Sequence, residues 1–427
     1  MLRLWPAPRR VARPAHLSVR STVNSPPDRV APRAAELKES QQPLWALPLG
    51  KFLHRASLVA LSEVGYSRCR RLYPQQVVFE ERSQHGNGLV QVRQHGPWRA
   101  LHFNSTEQGL SYVGLPPSGV KQVVQLWNDG AAIPYVLGFE YIRTMAATIA
   151  GFAQLQGIQM ATQGTRVLCV GLGAGALPAF IAHHNPQLDV AVVDIDPVVI
   201  RAAKDVISFQ FGIMHSTAEL AHVAQQTPAA PFRVLEADAG AAMSELATEL
   251  QATRRSRRED AAIDVLVLDA YEEHARVPNH LKAPAFLASC AACLKRDGIV
   301  VVNMLNGTPD SKARKEVVEY ARLLERHFGC VYSVKVEDQQ FNVILVACYP
   351  DSPIGKRIVS RGQLVEAARS VAMEQSWVFD AGDLVEKLFR CNITDVAMWE
   401  EVPGRTVDWP KESSAAGHEY VDRDPDE

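Results

Sequence analysis

The feature that most limits what this chain can fold into is a set of five short apolar runs spaced along its middle. They are Arg166–Val170, Val190–Val193, Val234–Leu235, Val265–Leu268 and Ile299–Met304, and stretches of helical character lie between them. Runs rich in Val, Leu and Ile that do not alternate with polar residues are strands buried on both faces, which implies a parallel sheet in a doubly wound α/β domain. The section then changes. After a helix expected around Ala313–His327, Val331–Val336 and Phe341–Cys348 are joined by Glu337-Asp338-Gln339-Gln340. A parallel crossover needs roughly a dozen residues or more, so this last pair is expected as an antiparallel hairpin.

The flanking segments are of other material. From Val77 to Gly114 short alternating runs (Gln76–Glu80, Leu89–Arg93, Arg99–Phe103) are separated by His85-Gly86-Asn87-Gly88 and His95-Gly96-Pro97. Alternation bounded by such turns predicts an antiparallel meander of roughly three or four strands. A helix is expected from Tyr135 to Leu155, with Leu137, Tyr141, Met145 and Thr148 at helical spacing. Residues 352–390 look helical and 403–427 form a polar, acidic tail. Before the first acid, Asp28, come Arg3, Arg9, Arg10, Arg13 and Arg20, an acid-free composition that suits an organellar transit peptide or a disordered basic tail. The expected organisation is therefore 1–40 transit or disordered, 75–130 meander, 135–350 nucleotide-type domain, 351–400 helical extension and 403–427 tail.

Composition removes several classes of function. The net charge of −2 provides no global field for nucleic acid or an anionic membrane. No stretch approaches the roughly 18 apolar residues of a membrane span. The 7 cysteines are odd in number and scattered, as free thiols of a reducing compartment would be. Cys290-x-x-Cys293 lacks a second pair and reads as core, Trp98, Trp127 and Tyr112 read as packing residues, and Arg254-Arg255-Ser256-Arg257-Arg258 reads as a solvated loop.

The strongest local signal is Gly171-Leu-Gly173-Ala-Gly175-Ala176, where the first apolar run enters a glycine turn and then a helix. Glycines let backbone approach a ligand, although this spacing also fits a dinucleotide fingerprint or a purely structural turn. About twenty residues on, the second run ends in Asp194, placed to take the two hydroxyls of a ribose. Asp196, before Pro197, is better read as a helix cap. Asp238 follows the third run, beside Ala239, and can accept an adenine amino group; Asp269 follows the fourth and would sit nearest the reacting end. Each alone fits a helix cap, but together at successive strand tips they suggest one pocket. Carboxylates without a phosphate-binding Lys or Arg suit S-adenosyl-L-methionine, whose sulfonium and ammonium are cations, better than a pyrophosphate.

These motifs resemble the spermidine-synthase-like branch of the class I S-adenosylmethionine-dependent transferases over residues 77–349, and in particular the C-terminal domain of the elongation factor 1-alpha lysine and N-terminal methyltransferases. The polyamine synthases' G-G-G-D-G-G, E-I-D, G-D-G/A and D-S-S-D-P become Gly171–Ala176, Asp194-Ile-Asp196, Ala237-Asp238-Ala239 and Asp269-Ala-Tyr-Glu272. The resemblance implies a class I methyltransferase (Rossmann-like) α/β sheet ending in an antiparallel hairpin, with a small N-terminal β-meander. It also implies S-adenosyl-L-methionine as cofactor and a cofactor contact from Gln108. The departures bear on the substrate. The aspartate that holds an amine in the synthases' glycine motif is Ala174 here, and their Tyr-His-Glu reads Phe139-Glu140-Tyr141. Each protonated amine of a polyamine needs a counter-charge to be desolvated, so the losses disfavour aminopropyl transfer.

The expected function is methyl transfer to an amine of a protein substrate, with Asp269 beside the acceptor nitrogen and Tyr271, Glu272 and His274 as loop neighbours. A small amine acceptor is the other partner class, and the meander suits recognition or dimerisation equally. Alternatives are an aminopropyltransferase of polyamine biosynthesis, a non-catalytic organellar factor that retains the pocket, and a nicotinamide oxidoreductase. The basic N-terminus points to a mitochondrion or chloroplast, and otherwise to the cytoplasm.

Overall fold

The computed structural model describes residues 62–114, 131–222, 227, 229–254, 262–273, 276–307, 311–336, 342–391 and 399–401. The expected transit segment, the acidic tail, Trp127, most of the basic run, His274 and the β-hairpin linker at 337–340 lie outside these residues. Helix α1 (Glu63–Leu72) leads into a four-stranded antiparallel meander of β1 (Gln76–Arg82), β2 (Leu89–His95), β3 (Trp98–Phe103) and β4 (Thr106–Tyr112), in the order β1-β2-β3-β4. Trp98 is fully buried there and meets Tyr112 edge-on, ring centroids 5.0 Å apart.

Helix α2 (Glu140–Gln156) begins later than the spacing predicts. The expected start at Tyr135 lies instead in a turn closed by Val136 N–H on the Ile133 carbonyl at 3.2 Å, and Gly138 then packs under Leu110 and Trp98, where an added Cβ would lie 2.7 Å from Leu110 Cδ2. Then come β5 (Arg166–Val170), α3 (Ala176–His184), β6 (Asp189–Asp194), α4 (Pro197–Arg201), β7 (Gly212–Met214), β8 (Arg233–Glu236), α5 (Ala239–Arg254), β9 (Ile263–Leu268), α6 (Pro284–Cys293), β10 (Leu294–Leu305), α7 (Lys312–Phe328), β11 (Cys330–Lys335) and β12 (Asn342–Cys348). Last are α8 (Arg361–Glu374), α9 (Ala381–Leu384), β13 (Leu388–Cys391) and β14 (Trp399–Glu401).

The large sheet runs β14-β13-β11-β12-β10-β9-β5-β6-β8-β7. From β10 to β7 the pairs are parallel, and β12 turns antiparallel to both β10 and β11. The parallel run with an antiparallel end matches the expectation. Two additions were not legible: β7, only three residues long, extends the parallel edge, and β13 and β14 extend the other, so the C-terminal region is not wholly helical.

Strand alternation splits the core in two. Val167 and Cys169 join the apolar cluster with α2, α3 and α8, while Leu168 and Val170 join the one with α5, α6 and α7. Helices thus cover both faces, which is why the strands read as continuous apolar runs. Cys290 and Cys293 are fully buried in the second cluster, as the core reading expects. The strand starts are pinned by charge. Asp189 on β6 takes Arg166 Nε at 3.0 Å and Arg233 Nη2 at 2.7 Å, and Asp264 takes the Arg166 backbone N–H at 2.8 Å. Fixed starts hold the register with which the opposite strand ends meet.

Candidate active site

That register builds the site. Val170 pairs with Val193 on one side and Leu268 on the other, Leu268 pairs with Val302, and Asp194 pairs with Glu236. The residues that follow emerge in a row, Asn303, Asp269, Gly171 and Asp194. Gly171 N–H donates to the Val193 carbonyl at 2.9 Å and Asp269 N–H to the Val170 carbonyl at 2.9 Å. Gly171, Gly173 and Gly175 have φ of 96°, 51° and 81°, in the left-handed region that favours glycine. A Cβ on Gly171 would collide with the Asp269 carbonyl. Gly171 and Gly173 line the cleft. Gly175 is not among the lining residues: it starts α3, and a Cβ there would come within 2.9 Å of the Phe209 ring.

Asp194 sits in the elbow of this turn. Its Oδ2 accepts from Leu172 N–H at 2.7 Å and its Oδ1 from Asp196 N–H at 2.9 Å. Burial pushes its carboxyl up to about 6, against the pull of those two N–H groups. Asp196 caps α4 through Val198 N–H at 2.9 Å and also accepts from the Asn87 amide at 2.7 Å. Asn87 belongs to the β1–β2 turn, and Gly86 beside it accepts from Glu273 N–H at 3.4 Å. Asn104 holds the Glu273 carboxylate. The meander is thereby tied to the tip of β6 and to the loop after β9, and forms one wall of the cleft.

The cleft is open to solvent and holds about 220 Å³ of space for water-sized molecules. Gln108 enters from the meander. Its carbonyl oxygen lies over Gly173, and its Nε2 is buried without a hydrogen-bond partner among the described residues. Asp238 and Ala239 lie on the same lining, but the Asp238 carboxylate is also engaged elsewhere. Its Oδ1 caps α5 through Ala241 N–H at 2.8 Å, and its Oδ2 meets His280 Nε2 at 2.9 Å. The helix-cap role and a place in the pocket thus coexist in one side chain. At the floor, Asp269 Oδ1 accepts from the Asn303 amide at 2.9 Å, and burial pushes its carboxyl up to about 7. Glu272 and Tyr271 line the rim, with the Tyr271 hydroxyl donating to the Asn303 carbonyl at 2.9 Å.

A second, narrower recess shares Gln108, Tyr141, Gly171, Gly173 and Asp269 with the cleft and runs behind the glycine turn. Its other walls are apolar, including Ile142, Ala174, Leu177 and Val267. Ala174 is 3% exposed beneath β4, where a Cβ on Gly109 would overlap its methyl group.

Sequence reasoning missed four contributors: Asn303, His280, Asn87 and the cleft role of Tyr141. Asn303 alone left a signal, as the polar residue interrupting an apolar run.

The strand order and glycine turn are those of the class I S-adenosylmethionine-dependent methyltransferases, and the chain has that fold. Among curated proteins it is similar to the polyamine aminopropyltransferase of Vibrio vulnificus (strain CMCP6), 22% identical over 214 residues, 50% of this chain and 60% of that protein. It is also similar to the eEF1A lysine and N-terminal methyltransferase of Danio rerio, 26% identical over 207 residues, 47% of this chain and 25% of that protein. The chain thus spans less than two thirds of the length of either. Among solved structures, human methyltransferase-like protein 13 in complex with SAH aligns at 19% identity and TM-score 0.43, over 56% of this chain and 92% of that one. No family model matches the chain.

The residues present fit S-adenosyl-L-methionine. Gly171 and Gly175 have no room for a side chain, Gln108 lines the cleft with its buried Nε2 unpartnered among the described residues, and the ionisable groups on the cleft lining are dominated by acids. Removing the Gln108 amide in Gln108→Ala is expected to weaken cofactor binding about five- to tenfold, the effect of one neutral hydrogen bond, as measured by equilibrium dialysis.

Proposed function

We propose that the chain is an S-adenosylmethionine-dependent methyltransferase acting on an amine of a protein substrate. Gly171, Gly173, Asp194, Asp238, Ala239 and Gln108 hold the cofactor, with Gly175 shaping the turn. When bound, the cofactor supplies an electrophilic methyl group on a positively charged sulfur. Asp269 orients the acceptor ammonium through a charge-assisted hydrogen bond and stabilises it while its proton departs, which an amine near pKa 10.4 must do before its nitrogen can attack. Tyr271 and Glu272 border the path of entry.

The observation that carries this reading is the apolar recess behind the glycine turn. Apart from Asp269, the phenol of Tyr141 and the thiol of Cys169, which burial keeps neutral, its lining holds no ionisable side chain. A diamine reaching past Asp269 would bury its far ammonium without a counter-charge, which costs several kcal/mol. A single amine on a protein side chain or N-terminus needs only Asp269. The Danio rerio relative supports a protein acceptor; the Vibrio relative supports the aminopropyl alternative, and one assay separates them. Incubation with labelled S-adenosylmethionine and a peptide array of lysines and free N-termini is expected to transfer label. Turnover of putrescine with the decarboxylated cofactor, and none on peptides, would reverse the assignment.

The acid-free, Arg-containing residues before Asp28 support delivery to a mitochondrion or chloroplast. Fusion of residues 1–40 to a fluorescent protein is expected to direct it to one of these organelles, and diffuse cytoplasmic signal would count against it. Among the described residues no helix is long and apolar enough to cross a membrane.

A further inference from the structure

Asn303 lies at the tip of β10, 3% exposed. Its side chain holds Asp269 through Nδ2 at 2.9 Å, and its carbonyl is held by the Tyr271 hydroxyl at 2.9 Å. Its side-chain oxygen, however, is buried with no hydrogen-bond partner among the described residues. Native structures seldom leave a buried acceptor idle, because its lost hydration is not replaced. Nor is Asp269 otherwise supported. Its side chain has no other hydrogen bond among the described residues, and no Lys or Arg lines either recess.

An ionised carboxylate only accepts hydrogen bonds, whereas a carboxylic acid has one O–H to donate. A primary amide offers a donor and an acceptor at nearly interchangeable places, and a half-turn about its last torsion exchanges them. We infer that Asn303 is a positioning residue for Asp269 that bonds both of its protonation states by turning its amide over. This rests on the amine-methyltransferase reading and adds a route for the proton. As the acceptor ammonium gives a proton to Asp269, an N–H bond breaks and leaves its electron pair on nitrogen. An O–H bond forms on the carboxyl, and that O–H is donated to Asn303 Oδ1. The idle oxygen is the acceptor that the second state requires. Reversal, with loss of the proton to water, restores the arrangement in the structure.

Other ionisable groups near Asp269 are Cys169 from β5, Tyr141 from α2 and Asp194 from β6, with Tyr271 and Glu272 on its own loop. Farther along the cleft lie Asp238, His280 and His85. Cys169 is pushed up to about 12 by burial and stays a neutral thiol.

The test is NMR titration of the full chain with labelled Asp carboxyls and Asn side-chain amides, with Asp269 assigned by its absence in Asp269→Asn. The Asn303 amide signals are expected to move with the same midpoint as the Asp269 carboxyl. In Asn303→Leu, of similar size but without polar atoms, the Asp269 midpoint should rise by about one pH unit, because both bonds are lost and the charge-assisted one to the ionised form is the stronger. Asn303→Ser, whose hydroxyl can donate or accept, should restore the midpoint to within roughly half a unit of wild type and covers the event that the leucine variant fails to fold. Asn303 signals that ignore the Asp269 titration, or an Asp269 midpoint unchanged in Asn303→Leu, would overturn the inference. Calorimetry on the same samples keeps the two ideas apart. Wild type and Asn303→Leu should bind S-adenosylmethionine within about threefold of each other, since Asn303 contacts Asp269 rather than the cradle. Absence of binding in wild type would count against the methyltransferase reading, while the inference about Asn303 is judged by the titration alone.

Discussion

Asp194→Ala is expected to weaken S-adenosylmethionine binding at least about a hundredfold, as read by calorimetry near neutral pH. The side chain does two things that alanine cannot. It holds the glycine turn through Leu172 and Asp196 N–H groups at 2.7 and 2.9 Å, and in the proposed function it presents a carboxylate to the ribose. Hydrogen bonds to charged groups contribute about 1.5–3 kcal/mol each, so losing a pair is sufficient for two orders of magnitude. The pH dependence has a definite sign. Burial raises the folded carboxyl from 3.8 to about 6. In the unliganded protein its stability contribution is therefore fully present below 3.8 and lost as pH rises through about 6. Ligand binding runs the other way, because ribose hydroxyls donate to the ionised form. Affinity should fall as pH drops through about 6 in wild type but stay nearly level in Asp194→Ala. A binding constant that Asp194→Ala leaves within threefold of wild type (about 0.7 kcal/mol) would remove the ribose role.

The parts of this site that could be read from sequence are those that depend on short range. A buried strand followed by glycines, or by one acid, states its own tip chemistry, so Gly171, Asp194, Asp238 and Asp269 were in view before any contact was. The parallel register then sets them side by side, as the Val170, Val193 and Leu268 pairings show. What escaped depends on partners distant in sequence. Asn87 reaches Asp196 across 109 positions and Asn303 reaches Asp269 across 34. Nothing local in Asn87-Gly88 distinguishes a turn that docks from one that hangs in water. Tyr141 has the spacing of a core residue of α2, and its placement on the cleft follows from where the meander packs. Asp238 illustrates a different limit. Cap and pocket compete when read from the sequence, but a carboxylate has two oxygens and the protein uses it for α5 and His280 while leaving it on the lining. The three-residue strand β7 was too short to carry a periodic signal, since one alternation is indistinguishable from a loop.

Asp269→Asn should lower the rate of amine methylation about a thousandfold while leaving S-adenosylmethionine affinity within a few-fold, as expected for loss of a group that handles the acceptor's proton. The amide can still accept from Asn303 and fills the same space, so the geometry of the floor persists while its charge does not. The same substitution should act oppositely on stability. Burial raises the Asp269 carboxyl from 3.8 to about 7. Its favourable contribution is complete below 3.8, where folded and unfolded forms are both protonated, and is lost as pH climbs through about 7. Above that point Asp269 holds a charge that, among the described residues, has a single hydrogen-bond donor and no Lys or Arg on the same lining, so Asp269→Asn should melt higher than wild type in mildly alkaline buffer. In acid the two should converge. A residue whose removal stabilises the fold and abolishes the reaction is held for chemistry rather than for packing. A structural aspartate would give the reverse, a lower melting temperature at alkaline pH with activity falling only in proportion to unfolded protein. Melting curves and single-turnover rates, taken on the same preparation at both ends of that pH range, distinguish the two.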